Sequence, residues 1–330
     1  MTTHKDMLTH MGGVPVSGAG MLPLMGGSGK SFFVDPANGA DGNTGRKPTD
    51  ALATVAAAYA LCTDKSGDTI YLLNDGNTSG SARETAALVW AHDNVHLVGL
   101  CAPSINQRSR ITPTSASTDV DAYTPFLTVS GHGCIFKNIS LVQGNSADDT
   151  ASIGILVSGN RNYFENVSVL TGQHANQGDE AGTANVQITG EENVFEQCYI
   201  GTDTVARSAA NASVLFGSGN TDQAARNIFR NCFFPMFADA TSPYFINAPT
   251  ENDVMRWNSF ENCTFINTGS STLGEAVNWT ATSGKLFLKD CAFYGMTDIV
   301  AADEAEVLMY GISAGLGVVD VGHFKAVDIA

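Results

Sequence analysis

One short motif recurs through this chain and leaves few folds open to it. It reads Asn258-Ser259-Phe260-Glu261-Asn262-Cys263-Thr264-Phe265 in its clearest copy. Earlier copies are Asn227-Ile228-Phe229-Arg230-Asn231-Cys232, Asn193-Val194-Phe195-Glu196-Gln197-Cys198, Asn162-Tyr163-Phe164-Glu165-Asn166-Val167 and Cys134-Ile135-Phe136-Lys137-Asn138-Ile139. A last copy is Leu286-Phe287-Leu288-Lys289-Asp290-Cys291. The central apolar position falls at residues 136, 164, 195, 229, 260 and 288, with gaps of 28, 31, 34, 31 and 28. Self-similarity at such a period marks a solenoid, in which each unit buries its apolar face only by stacking on the next.

Within the motif the apolar side chains are spaced by two and then by three. A spacing of two fits a strand. The extra residue means that the chain turns a corner at Asn138, Asn166, Gln197, Asn231, Asn262 and Asp290. Asn and Asp tolerate the left-handed backbone such a bend requires. These side chains are expected to form an inward polar ladder. The row from Phe136 to Leu288 should stack in the same way, as should Ile139, Val167, Cys198, Cys232, Cys263 and Cys291.

A second strand precedes each motif, at 126–130, 155–158, 186–189, 214–216, 244–246 and 277–279. Several of these end at Gly131, Gly159, Gly190 or Gly217. Each unit therefore reads as strand, Gly turn, strand, bend and variable loop, which is one coil of a parallel β-helix. A leucine-rich repeat needs a dense Leu frame that is absent. The fold class is all-β, with about eight to ten coils.

The chain is 43% hydrophobic and 15% charged, with 34 Gly, which fits a turn-rich solenoid and excludes a disordered chain. A net charge of −16 argues against nucleic acid and anionic membrane as partners. No apolar run approaches the roughly 20 residues of a membrane span. The start, Met1-Thr2-Thr3-His4-Lys5-Asp6, lacks the build of a signal peptide, so synthesis in the cytoplasm is expected. Seven Cys include no Cys-x-x-Cys pair, and four share one repeat position. Buried thiols acting as small apolar residues are expected, rather than disulfides or a metal site.

Residues 1–30 are rich in Met, Gly and Pro and read as an arm that is flexible or ordered on assembly. Gly26-Gly27-Ser28-Gly29-Lys30-Ser31 looks like a phosphate loop, but Leu24 stands where the first Gly is required. The solenoid spans 31–310. Residues 311–330 are small, apolar and Gly-rich, and are expected to cap the last coil or dock on a neighbour.

Phe32-Phe33-Val34-Asp35-Pro36-Ala37-Asn38-Gly39-Ala40-Asp41-Gly42-Asn43-Thr44-Gly45 and then Pro48 resemble the N-terminal lead-in of pectate-lyase-like right-handed β-helix proteins. Versions of this lead-in occur in bacteriophage virion proteins and in secreted polysaccharide enzymes. The resemblance implies a right-handed helix, a short first strand, an acidic turn and a capping helix over the open end. Residues 49–61 supply that helix, with Thr49 or Asp50 as its cap and Leu52, Val55, Tyr59 and Leu61 on its apolar side. Asp35, Asp41 and Asn43 gather oxygen ligands of the kind Ca²⁺ takes. The competing reading is an Asx-turn network closing the loop, and no metal is assigned.

The acids available for catalysis are Asp148-Asp149, Asp179-Glu180 and Glu191-Glu192, with His174 the nearby loop His. A paired-carboxylate mechanism is chemically open to them, but solvated loop acids are the default in so acidic a chain. Glu165, Glu196 and Glu261 share one repeat position with Lys137, Arg230 and Lys289, which reads as a mixed surface row. His92 and His96 lie in loop and strand, where i, i+4 spacing does not make a metal pair. Gly217-Ser218-Gly219 is a turn, not a nucleophile elbow. No catalytic residue, metal site or cofactor is assigned, and the binding residues are left unknown.

The leading expectation is a non-enzymatic bacteriophage virion protein, a decoration or cement protein bound to capsid or other virion proteins and trimeric. The alternative is a tailspike or adhesin that binds or cleaves polysaccharide along a lateral groove bearing Tyr199, Trp257 and Trp279.

Overall fold

The computed structural model describes residues 29–74, 82–114, 123–144, 151–217, 224–300 and 305–314, with backbone pairing also at His10–Met11 and Val14–Pro15. Most of the expected N-terminal arm, the tail beyond Ala314 and Asp148-Asp149 lie outside these residues. The chain is a parallel β-solenoid built from three sheets. The first sheet has ten strands, from Ser31–Val34 through Ile135–Lys137, Tyr163–Glu165, Val194–Glu196, Ile228–Arg230, Arg256–Glu261 and Gly284–Lys289 to Val307–Tyr310. The second also has ten and ends at Ser313–Ala314, and the third has eight, from Leu88–Trp90 to Met296–Val300.

Each repeat motif supplies a strand to the first sheet, in register with the motifs above and below. Phe136 pairs with Phe164, Phe164 with Phe195, Phe195 with Phe229, Phe229 with Phe260 and Phe260 with Leu288. The five Phe rings stack at centroid distances of 4.9, 4.5, 4.5 and 4.4 Å and lie within 8° of parallel. A second inner stack, Phe234, Phe265 and Phe293, repeats the arrangement at 4.6 Å per step on the second sheet. Such rings bury large apolar areas and gain about 0.5–1.5 kcal/mol per pair beyond burial. All seven cysteines are free. Cys198, Cys232, Cys263 and Cys291 are buried in one column, each Sγ meeting a backbone carbonyl of the coil before at 3.4–3.5 Å.

The bend is where the sequence places it. Asn138, Asn166, Gln197, Asn231, Asn262 and Asp290 all have φ between 50° and 56°. After the bend the chain stays extended and forms the second sheet, as in Ser140–Val142 and Ser168–Leu170, so each coil carries a strand where a loop is expected. The bend side chains do not point inward. Only Asn138 is buried, while Gln197, Asn231, Asn262 and Asp290 are exposed. They form an outer ladder instead, with Asn166 Nδ2 donating to Asn138 Oδ1 at 2.8 Å and Asn262 Nδ2 to Asn231 Oδ1 at 2.6 Å. The reason is geometric: the left-handed residue turns the chain about the core and throws its own side chain outward.

The inward ladder belongs to the first residue of the four central motifs. Asn162, Asn193, Asn227 and Asn258 are fully buried at the corner between the third and first sheets. Each Oδ1 accepts a backbone N–H of the coil before it: from Cys134, Asn162, Asn193 and Asn227, at 2.8–3.0 Å. Each Nδ2 donates back to a carbonyl there, at Gly131, Gly159, Gly190 and Ala224. Polar backbone that would be orphaned inside the solenoid is thereby paired. The Gly turn beside it admits nothing larger, because a Cβ on Gly159 would lie 2.0 Å from the Gly131 carbonyl oxygen.

At the N-terminal end the expected helix over 49–61 is shorter. Pro48–Asp50 is one 3-10 turn, and the α-helix is Val55–Ala60 with Thr54 as its cap, accepting from Ala57 N at 3.2 Å. Asp50 is drawn away by Thr44, whose hydroxyl it accepts. Leu52 is extended and bridges Val34 in parallel, so it covers the edge of the first strand while Val55 and Ala58 enter the core. Leu61 is exposed rather than packed. The buried Glu84 carboxylate of the next coil accepts from Val55 N and Ala56 N and fixes the helix start. The acidic turn is a hydrogen-bonded network. Asp35 Oδ1 accepts from Ala37 N and Asn38 N, Asp41 takes Ala53 N, Thr54 N and the Thr54 hydroxyl, and Asn43 Nδ2 donates to Ala51 O.

Candidate functional site

Strand alternation gives the first sheet an outer face as regular as its inner one. Flanking the Phe column on one side run Lys137, Glu165, Glu196, Arg230, Glu261 and Lys289, ending at Tyr310. They pair along the ladder: Lys137 with Glu165 at 2.7 Å, and Arg230 with Glu196 and Glu261 at 3.4 and 3.2 Å. On the other side run Ile135, Tyr163, Val194 and Ile228, all half-buried, then Ser259, Phe287 and Leu308. Burial first, then Glu165 and Glu196, push the Tyr163 phenol up to about 12, so it stays a neutral donor.

Toward the C-terminal end this face opens into a groove of about 670 Å³. Its principal side chains are Trp257, Phe287, Leu308 and Tyr310, flanked by Glu261 and Lys289. Trp257 is 36% exposed, Phe287 39% and Tyr310 72%. Register makes these three a diagonal. Trp257 lies opposite Lys285, two residues before Phe287, and Phe287 lies opposite Leu308, two before Tyr310. Neighbours one strand across and two residues along a parallel sheet are about 8 Å apart. Three aromatic side chains thus step across three coils with solvent on one side.

Glu261 is the one carboxylate among the described groove residues, and it is held by Arg230 Nε at 3.2 Å and the Ser259 hydroxyl at 3.3 Å. A carboxylate pinned by a guanidinium is suited to accepting hydrogen bonds from hydroxyls, not to shuttling protons. Lys289 adds a donor at the rim. The groove therefore offers flat apolar contact at its centre and a polar edge.

The residues singled out from sequence go elsewhere, apart from Trp257. Tyr199 is buried on the second sheet, stacked on Phe233 at 5.7 Å. Trp279 is buried from the third sheet, with Nε1 donating to Gly284 O at 3.3 Å and its ring edge-on to Phe216. The expected aromatic row of Tyr199, Trp257 and Trp279 is thus split among three sheets, because each residue occupies a different strand of its coil. Glu191 and Glu192 are tied to Arg226, and Glu192 also to Arg161. Asp179 accepts the Ser208 hydroxyl. His174 caps the short helix Ala175–Gly178, its Nδ1 accepting from Asn176 N. His96 is buried, its Nδ1 accepting from Ile135 N at 3.1 Å. Phe287 and Tyr310 are the groove residues that sequence reading passed over. Phe287 was legible, since Leu286 and Leu288 on either side of it both face the core.

No family model and no curated protein matches the chain by sequence. Solved structures match it in shape. Pectin methylesterase PemA from Erwinia chrysanthemi is 12% identical with a TM-score of 0.55, covering 87% of this chain and 89% of that one. A pectin methylesterase in complex with a hexasaccharide gives 12%, 0.54, 87% and 89%, and a rhamnogalacturonan lyase gives 14%, 0.51, 81% and 68%. At such identities the likeness concerns the fold: this chain is a right-handed parallel β-helix.

Proposed function

We propose that the protein binds polysaccharide on the outer face of its first sheet, with the groove at Trp257, Phe287 and Tyr310 as the contact point. The observation that carries this reading is the exposed aromatic diagonal across three coils. Sugar rings present apolar C–H faces that stack on such side chains, while Glu261, Lys289 and the ladder beyond them meet the hydroxyls. A structural neighbour that holds a hexasaccharide adds to the reading, since it uses the same kind of rod. With a net charge of −16 the preferred glycan is neutral, because a polyuronate would be repelled.

The virion role expected from sequence, with capsid partners and a trimeric state, draws on the rigid rod flanked by two terminal segments together with the lack of a signal-peptide pattern and of a catalytic signature in the sequence. It stands as a second proposal, without support from the groove. Affinity electrophoresis against neutral and uronic-acid polysaccharides separates the two. Retardation by a neutral glycan, weakened at least tenfold in Trp257→Ala, is the expected result, a loss of about 1.4 kcal/mol or more. No retardation by any glycan, or an unchanged Trp257→Ala, overturns the reading. Release of reducing ends or unsaturated products from the retained glycan distinguishes cleavage from binding.

A further inference from the structure

The interior of the solenoid holds one arginine with no carboxylate at salt-bridge distance among the described residues. Arg207 ends the strand Thr202–Arg207 and is 1% exposed. Its Nη1 donates to Ala212 O at 3.3 Å, and its Nη2 to Thr171 O at 3.3 Å and Asn185 Oδ1 at 2.9 Å. All three partners are neutral, and Nε has no partner. Burial alone pulls the guanidinium down to about 10, so it is still charged at neutral pH. An uncompensated charge in such a place is costly, and buried charges in proteins are matched by an opposite one.

The surroundings are built for a guest. Ser213 lies one coil above Asn185 in register, is fully buried, and its hydroxyl has no partner. Gln177 is fully buried with both side-chain polar atoms unpaired, and its neighbour Gly178 accepts from Asn211 Nδ2 at 2.7 Å. Gly172 is buried beside the guanidinium, and a Cβ built on it would, its own chain neighbours aside, come no closer than 3.7 Å to Arg207 Nη2 and Thr183 Cγ2. This flank of the guanidinium thus carries no side chain, and the unpaired groups sit on adjoining segments: Ser213 follows Ala212, whose carbonyl takes Nη1, and Gln177 precedes Gly178, which packs on the Ala206 carbonyl.

We propose that this corner binds one small monovalent anion of the halide class, held by Arg207, with the unpaired Ser213 hydroxyl and Gln177 amide on adjoining segments as its further donors. Only an anion offers acceptor capacity and the missing negative charge together. The site lies inside the solenoid and is independent of the groove.

Crystals of the full chain soaked in sodium bromide, measured at the bromine edge, test the assignment directly. An anomalous peak in contact with the Arg207 guanidinium is expected. In solution, chloride should raise Tm relative to gluconate at equal ionic strength, by about 2 °C for each tenfold excess over its dissociation constant. Arg207→Met should lose that difference. The wild-type peak and the wild-type Tm comparison need no variant and decide the matter if Arg207→Met does not fold. Water density without an anomalous peak, or equal Tm in the two anions, overturns the proposal.

Discussion

Replacing Asn227 by Ala should cost far more than removing its outer counterpart, Asn231. The Asn227 side chain is fully buried. Its Oδ1 accepts from Asn193 N at 2.9 Å, and its Nδ2 donates to Gly190 O at 3.0 Å and Asn258 Oδ1 at 2.9 Å. Ala leaves the Asn193 N–H and the Gly190 carbonyl without these partners inside the solenoid. Each buried orphan costs about 1–3 kcal/mol, so the two together cost about 2–6 kcal/mol, before any cavity is counted. Asn231 is exposed, bonding Glu196 and Asn262 at the surface, and its φ of 56° suits Gly. Asn231→Gly should therefore stay within about 1 kcal/mol of wild type. Equilibrium urea unfolding followed by fluorescence of Trp90, Trp257 and Trp279 reads both. An Asn227→Ala loss below about 1 kcal/mol, or equal to that of Asn231→Gly, refutes the account of the inner ladder as the device that pairs backbone between coils.

Two further outcomes follow from buried titratable groups. Burial holds His96 below the usual imidazole range, and its Nδ1 must be unprotonated to accept the Ile135 N–H. Stability from this residue is full above the ordinary histidine value of about 6.5 and is lost as pH falls through it toward the folded value, because the unfolded chain takes the proton first. The urea midpoint should drop more for wild type than for His96→Gln between pH of about 7.5 and about 5.5, and equal drops count against the assignment. Burial also pushes Cys62 up to about 12 and Cys134 up to about 11, and raises Cys232 and Cys263 well above the ordinary thiol value. An aromatic disulfide reagent at neutral pH should label the half-buried Cys101 first and reach all seven thiols only on denaturation, whereas several thiols reacting at once in the native protein would contradict the packed column.

Much of the fold was legible because a solenoid writes its geometry once per coil. The Phe column, the Cys column and the left-handed bend all recur at a fixed position, and recurrence turns a weak local preference into a strong one. Where a feature occurs once, propensity misled. The run of Ala and Leu after Asp50 reads as a long helix, yet Leu52 is held extended by the edge of Ser31–Val34. The groove was only partly legible for the same reason. Trp257 stands out as a rare residue, but its companions Phe287 and Tyr310 are identified by their place in neighbouring coils. Arg207 carries no mark in the sequence, since its significance lies in what surrounds it.

Repetition in the sequence determined the solenoid, its period, its core columns and the position of its bend. A period of about thirty residues with one apolar column admits no other way to bury that column. Tertiary structure alone decided which of two Asn rows faces inward, which aromatics meet solvent, and where a buried charge stands without its opposite. Those facts depend on the direction of a side chain at a corner and on the register between coils, neither of which a single copy of the motif contains.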